Sequence, residues 1–136
     1  MNLRAKVFHG LFVVVYGAFD PKDDDWSRYL ALVESHDLDS TRQLIYTDGG
    51  GPSAEQLQAL SALLGERVVP TAVIAGRDSV QDSATVHMWV DSLARAFSLS
   101  SLADALTFLE VPTDEHLFVT RMLFTLRSEV EGTQGW

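Results

Sequence analysis

The stretch from Leu11 to Phe19 places Val13, Val14 and Val15 in succession and is apolar through Tyr16. A strand with one wet face alternates apolar and polar residues. A β-branched run that is apolar at successive positions has to be covered on both faces. This limits the chain to a sheet with layers on either side. Ala5–Phe8 precedes this run, separated by His9-Gly10, and the simplest arrangement is a tight N-terminal hairpin. Arg4 and Lys6 ahead of an apolar stretch loosely mimic a signal peptide. His9 and Gly10 interrupt it and no small-residue cleavage site follows, so a buried strand in a cytoplasmic protein is the expectation.

Helical and strand patterns then alternate. Asp20-Pro21-Lys22-Asp23-Asp24-Asp25 is turn chemistry that runs into helix-start chemistry, with an Asp expected as the cap. Trp26, Tyr29, Leu30 and Val33 recur at helical spacing, and this helix should end near His36. Gln43–Thr47 reads as a strand. Ser53 and Gln56 form a Ser-x-x-Gln capping box for a helix with Leu57, Leu60 and Leu64 as its stripe and Gly65 as its C-cap. Val68–Ala75 is the next strand, with Pro70 at its beginning or on an exposed edge. A long helix is expected after Gly76, with Val86, Trp89 or Val90, Leu93 and Phe97 on its buried face. Ser101 and Asp104 suggest a further capping box, followed by Leu102, Ala105, Leu106 and Leu109 at helical spacing. Thr113 is the expected cap of a last helix striped by Val119, Leu123, Leu126 and Val130.

The expected fold is therefore α/β: a four-stranded mixed sheet, an antiparallel N-terminal hairpin followed by parallel strands, covered by helices and extended by a C-terminal helix. Residues 1–131 are expected to form a single domain and 132–136 a mobile tail. The 136 residues suffice for one core, and 46% hydrophobic with 21% charged residues is a globular balance. No apolar run is long enough to span a membrane. Ten basic against 19 acidic residues give a net charge of −9, which argues against nucleic-acid binding. The absence of cysteine excludes disulfides, thiolate metal sites and a Cys nucleophile.

Two loops carry the candidate chemistry. In Thr47-Asp48-Gly49-Gly50-Gly51-Pro52-Ser53 the glycines allow close backbone approach, and the loop opens a helix whose N-terminus favours anions. It lacks the Gly-Lys-Ser/Thr ending of a phosphate-binding Walker loop, and Asp48 repels an anion. Gly76-Arg77-Asp78-Ser79 should lie at the same sheet edge, where Arg77 is suited to a phosphate or an acidic partner. His9, His36, His87 and His116 show no helical metal spacing, the acidic run lacks the closing Glu of a calcium loop, and no metal or cofactor is expected. Ser53, Ser79 and Ser83 lack a nucleophile elbow. The last helix is apolar beyond one face, at Leu117, Phe118, Met122 and Phe124, and this surface is the expected homodimer face.

The landmarks together resemble the STAS domain, in its SpoIIAA-like (STAS/SEC14-like) group. They are Val13–Gly17 on the second strand, Trp26 with Tyr29-Leu30, Tyr46 through Gly50 with Pro52-Ser53 at a strand-to-helix turn, Ala72-Val73-Ile74, Met88-Trp89, and Ala105 through Leu109. The resemblance covers roughly residues 5–110 and rests on layout. It implies a non-enzymatic regulatory module that binds a protein, such as a kinase or an anti-sigma-like factor, through the turn, with phosphate on a turn Ser or Thr switching binding off. Ser53 or Thr47 would take that role, although the turn departs from the family's Asp-Ser-Ser-Gly type. The alternatives are a small-molecule or lipid carrier with a pocket near Trp26 and Trp89, and a hydrolase or transferase with an unrecognised triad.

Overall fold

Residues 3–37, 41–65, 69–76 and 94–134 are described by the structure, a computed structural model. Among the described residues the sheet has five strands in the order β1-β2-β3-β4-β5. These are β1 (Leu3–Phe8), β2 (Leu11–Tyr16), β3 (Arg42–Thr47), β4 (Thr71–Ala75) and β5 (Ala94–Ser98). The first pair is antiparallel and each later pair is parallel, with Val13 beside Leu44 and Leu44 beside Ala72. The mixed α/β architecture matches the sequence, but the strand count was one short. Phe97, expected at the end of a long helix, lies in β5 instead. Val86, Trp89, Val90 and Leu93 lie outside the described residues, as do His87, Met88, Ser79 and Ser83.

Strand alternation divides the core into two layers. Leu11, Val13, Val15, Leu44, Tyr46, Ala72 and Ile74 point one way, onto α3 (Leu102–Phe108) and α4 (His116–Gln134). Phe12, Val14, Tyr16, Ile45, Val73 and Ala75 point the other way. They meet Trp26, Tyr29 and Val33 of α1 (Asp23–Glu34), with Leu60 and Leu64 of α2 (Ala54–Leu64) packed at the margin. Residues Val13 to Val15 are fully buried, as their two-sided apolarity requires. Burial pushes the phenols of Tyr16 and Tyr29 well above their ordinary value, and the Gln43 amide donates to the Tyr29 hydroxyl. Among the described residues no helix is long and apolar enough to cross a membrane.

The helix ends correct several local expectations. The Ser53–Gln56 capping box is present, and Gly65 closes α2 at φ +63°. Lys22, not an aspartate, occupies the N-cap of α1, and the three aspartates fill its first turn, where they favour the helix dipole. Ser101 makes no cap bond; the Ser98 hydroxyl donates to it instead. Thr113 begins a short 3-10 turn, Thr113–Glu115, that leads into α4. That helix runs to Gln134, past the expected start of the tail. The second strand stops at Tyr16, which leaves Phe19 in the following loop.

The end of α3 carries a strained residue. The Val111 amide donates to the Leu106 carbonyl and the Glu110 amide to that of Thr107, a Schellman closure. Its left-handed position is held by Glu110 at φ +60°, a conformation that costs an L-residue about 1 kcal/mol or more. Glu110→Gly is therefore expected to raise stability by about 0.5–1 kcal/mol, read as a higher urea midpoint.

Candidate functional site

The carboxyl ends of β2, β3 and β4 are joined by backbone hydrogen bonds. The Asp48 amide donates to Tyr16 O at 3.2 Å, Gly50 to Gly17 O at 2.9 Å, and Gly76 to Thr47 O at 2.9 Å. Three residues further along, the loop grips the segment that follows β2. The Gly51 amide donates to Asp20 Oδ1 at 3.2 Å, and the buried Gln56 side chain donates to Pro21 O at 3.2 Å. The β2–α1 and β3–α2 loops thus form a single platform. Gly50 is required because of this closeness: a Cβ there would run into the carbonyl of Phe19 and stand 2.8 Å from Gly17 O.

The two proposed hydroxyl acceptors sit in opposite settings. Thr47 is fully buried. Its hydroxyl donates to Gly50 O at 2.6 Å and accepts from the Gly49 amide at 2.9 Å, so it is spent in holding the loop. Ser53 is exposed and caps α2, its Oγ accepting from the Gln56 amide at 3.2 Å. The Gln56 side chain in turn accepts from the Ser53 amide at 2.9 Å.

Asp48 turns beneath the loop. Its Oδ1 accepts from the Tyr46 hydroxyl at 2.8 Å, and its side chain is only 8% exposed. Arg127 of α4 approaches its Oδ2 at 3.8 Å and lies over the Tyr46 ring at 5.3 Å. Gly76 leaves room for this cluster, because a Cβ there would strike the Tyr46 hydroxyl and Asp48 Oδ1. Sequence reasoning named Arg77 as the cation of this edge. Arg77 lies outside the described residues, and the arginine seen there is Arg127. Nothing local in the sequence marks it, since its partners belong to β3 and the turn after it.

Phe19 was also missed. Read as strand, it instead stands on the platform with 67% of its surface exposed. The Gly17-Ala18 step after β2 and the Asp20-Pro21 turn were the available signals.

The other candidates lie elsewhere. Trp26 is buried in the core against Tyr29, with its indole N–H lacking an acceptor among the described residues. It lines neither of two surface clefts, one of about 240 Å³ between β1 and α1, the other of about 370 Å³ around His9, Phe12 and His36. Trp89 lies outside the described residues. Of the proposed dimer face, Met122 packs inward and Phe118 leans on Phe8 at 4.5 Å, while Leu117 and Phe124 are exposed. His9 pairs with Glu115 at 3.3 Å, and the rings of His36 and His116 bond backbone carbonyls. Among the described residues no group of His, Asp and Glu gathers as a metal site.

No family model, curated protein or solved structure matches the chain.

Proposed function

We propose that this chain is a non-enzymatic regulatory interaction module of STAS type, which meets a protein partner through the platform formed by the β2–α1 and β3–α2 loops. The observation that carries this reading is the division of labour within the platform. Thr47, Asp48 and the glycine amides are engaged in holding it, while Phe19 and Ser53 stand outward on it. A rigid base presenting an aromatic side chain is the form of a protein-contact hot spot.

Ser53 is the acceptor of choice for a phosphate switch. It is exposed at the start of a helix of 11 residues, whose N-terminus stabilises an added anion. The phosphate would bring about −1.5 to −2 charges to a surface that already holds Asp20 and Glu55. A kinase or an anti-sigma-like factor is the kind of partner the resemblance implies.

Three proteins test this together. Ser53→Ala removes the cap and should cost about 1 kcal/mol. Ser53→Asp keeps a capping oxygen and should unfold at nearly the wild-type urea concentration. Mass spectrometry on protein drawn gently from its host would identify the co-purifying partner and any phosphate on Ser53. Against that partner, Ser53→Asp should shift the dissociation constant at least about tenfold, or about 1.4 kcal/mol. Equal affinity for wild type, Ser53→Ala and Ser53→Asp would end the switch. A bound lipid or metabolite without any protein partner would favour the carrier alternative.

A further inference from the structure

Four large apolar side chains are exposed among the described residues: Phe19, Leu117, Phe118 and Phe124. They make two patches of unlike chemistry. Phe19 is followed by Asp20 and by Asp23 and Asp24 in the first turn of α1, and the platform draws in the first turn of α2 with Glu55. All four carboxylates are exposed. The second patch is the outer face of α4. Leu117 and Phe124 are two helical turns apart, and the exposed Arg121 stands between them on the same face. Phe118, resting on Phe8, is at the flank of that face.

Leu117 and Phe118 stand far from the platform within one chain. The start of α4 lies at the hairpin tip, where Glu115 meets His9 and Phe118 meets Phe8. The platform lies at the other end of β2, about 20 Å away along six strand residues. Two copies can bring them together: the rim stays net negative with the exposed Lys22 counted in it, and Arg121 supplies the opposite sign at the centre of the α4 face, with the exposed Asp114 ahead of Leu117. We infer that the occupant of the Phe19 platform is the α4 face of a second copy of this chain, with Phe19 set between Leu117 and Phe124 and the acidic rim facing Arg121. A symmetric pairing of two α4 faces would instead set Arg121 against its own copy. In the head-to-tail form each copy gives its platform to one neighbour and its α4 face to another, and the contact propagates into a ring or a filament. It goes beyond the phosphate reading and does not need it, but it places self-assembly and partner binding on one surface.

The test is complementation, read by light scattering. Wild type should grow past the mass of a dimer as concentration rises. Phe19→Ala, which retains the α4 face, should be monomeric, and so should the Leu117→Ala/Phe124→Ala double variant, which retains Phe19. An equal mixture of the two should form a dimer and stop, because each complex has one intact junction and two blunt ends. All the substituted side chains are exposed, so the variants should melt as wild type does, and circular dichroism checks this. A wild type that stays monomeric at high concentration, a Phe19→Ala protein that still dimerises, or a mixture that stays monomeric would each overturn the inference. None of these readings uses a phosphate, so assembly of the unphosphorylated protein stands or falls separately from the Ser53 switch.

Discussion

Gly50→Ala is expected to destabilise the protein by about 3 kcal/mol or more, seen as a large fall in the urea midpoint. The reason is space. A methyl group at this position would run into the Phe19 carbonyl group and lie 2.8 Å from Gly17 O, all of it backbone. No rotamer change can relieve the clash, so the two loops would have to part. Parting them breaks the Gly50–Gly17 hydrogen bond and weakens the Gly51–Asp20 bond beside it. Gly49 is the control. Its φ is +130°, yet the nearest atom to an added Cβ is Ala18 O at 3.6 Å. Gly49→Ala should cost only the conformational penalty, about 1 kcal/mol. If the two substitutions cost the same, the close approach of the loops is wrong, and the base under Phe19 goes with it. A Gly50→Ala protein that still folds should also lose head-to-tail assembly, since Phe19 moves with its carbonyl.

What the sequence made legible is what neighbouring residues decide. The Ser53–Gln56 box closes within one helical turn, so its signature survives any tertiary context. Val13 to Val15 announce burial on both sides whatever covers them. The fifth strand was illegible for the opposite reason. Ala94-Arg95-Ala96-Phe97-Ser98 is short, half-exposed and lies at the edge of the sheet, and only its pairing with β4 makes it a strand. Phe97 falls at helical spacing from Leu93, so the period alone pointed the wrong way. The site divides along the same line. The glycine loop and its cap were readable locally. The Arg127–Asp48 approach joins the last helix to the third strand's turn, and no pattern along the chain records it. Phe19 needed the end of β2 to be placed three residues earlier, a boundary decided by where Asp48 and Gly50 bond Tyr16 and Gly17.

The two residues Leu123 and Phe124 give the second large effect and its own control. Leu123 is fully buried, in the layer with Val13, Leu44 and Leu106. Leu123→Ala should cost about 3–4 kcal/mol, the transfer term plus the cavity that a well-packed layer cannot close. That is a large share of the roughly 5–15 kcal/mol that holds an ordinary domain together. Phe124, next along the chain and about 100° round the helix, is 41% exposed, and Phe124→Ala should cost less than about 1 kcal/mol. The contrast fixes the rotation of α4. That rotation decides which of its side chains reach the sheet, and hence whether Arg127 overlies Tyr46 and approaches Asp48. It also decides which side chains are left for another copy. Leu123→Ala should therefore lower stability and loosen the platform's cationic cover together, whereas Phe124→Ala should leave stability nearly unchanged and weaken assembly. Equal losses of stability from the two would mean that α4 is turned differently on the sheet. Both the Arg127 contact and the outward Leu117–Phe124 face would then fall at once, because one helix register produces both.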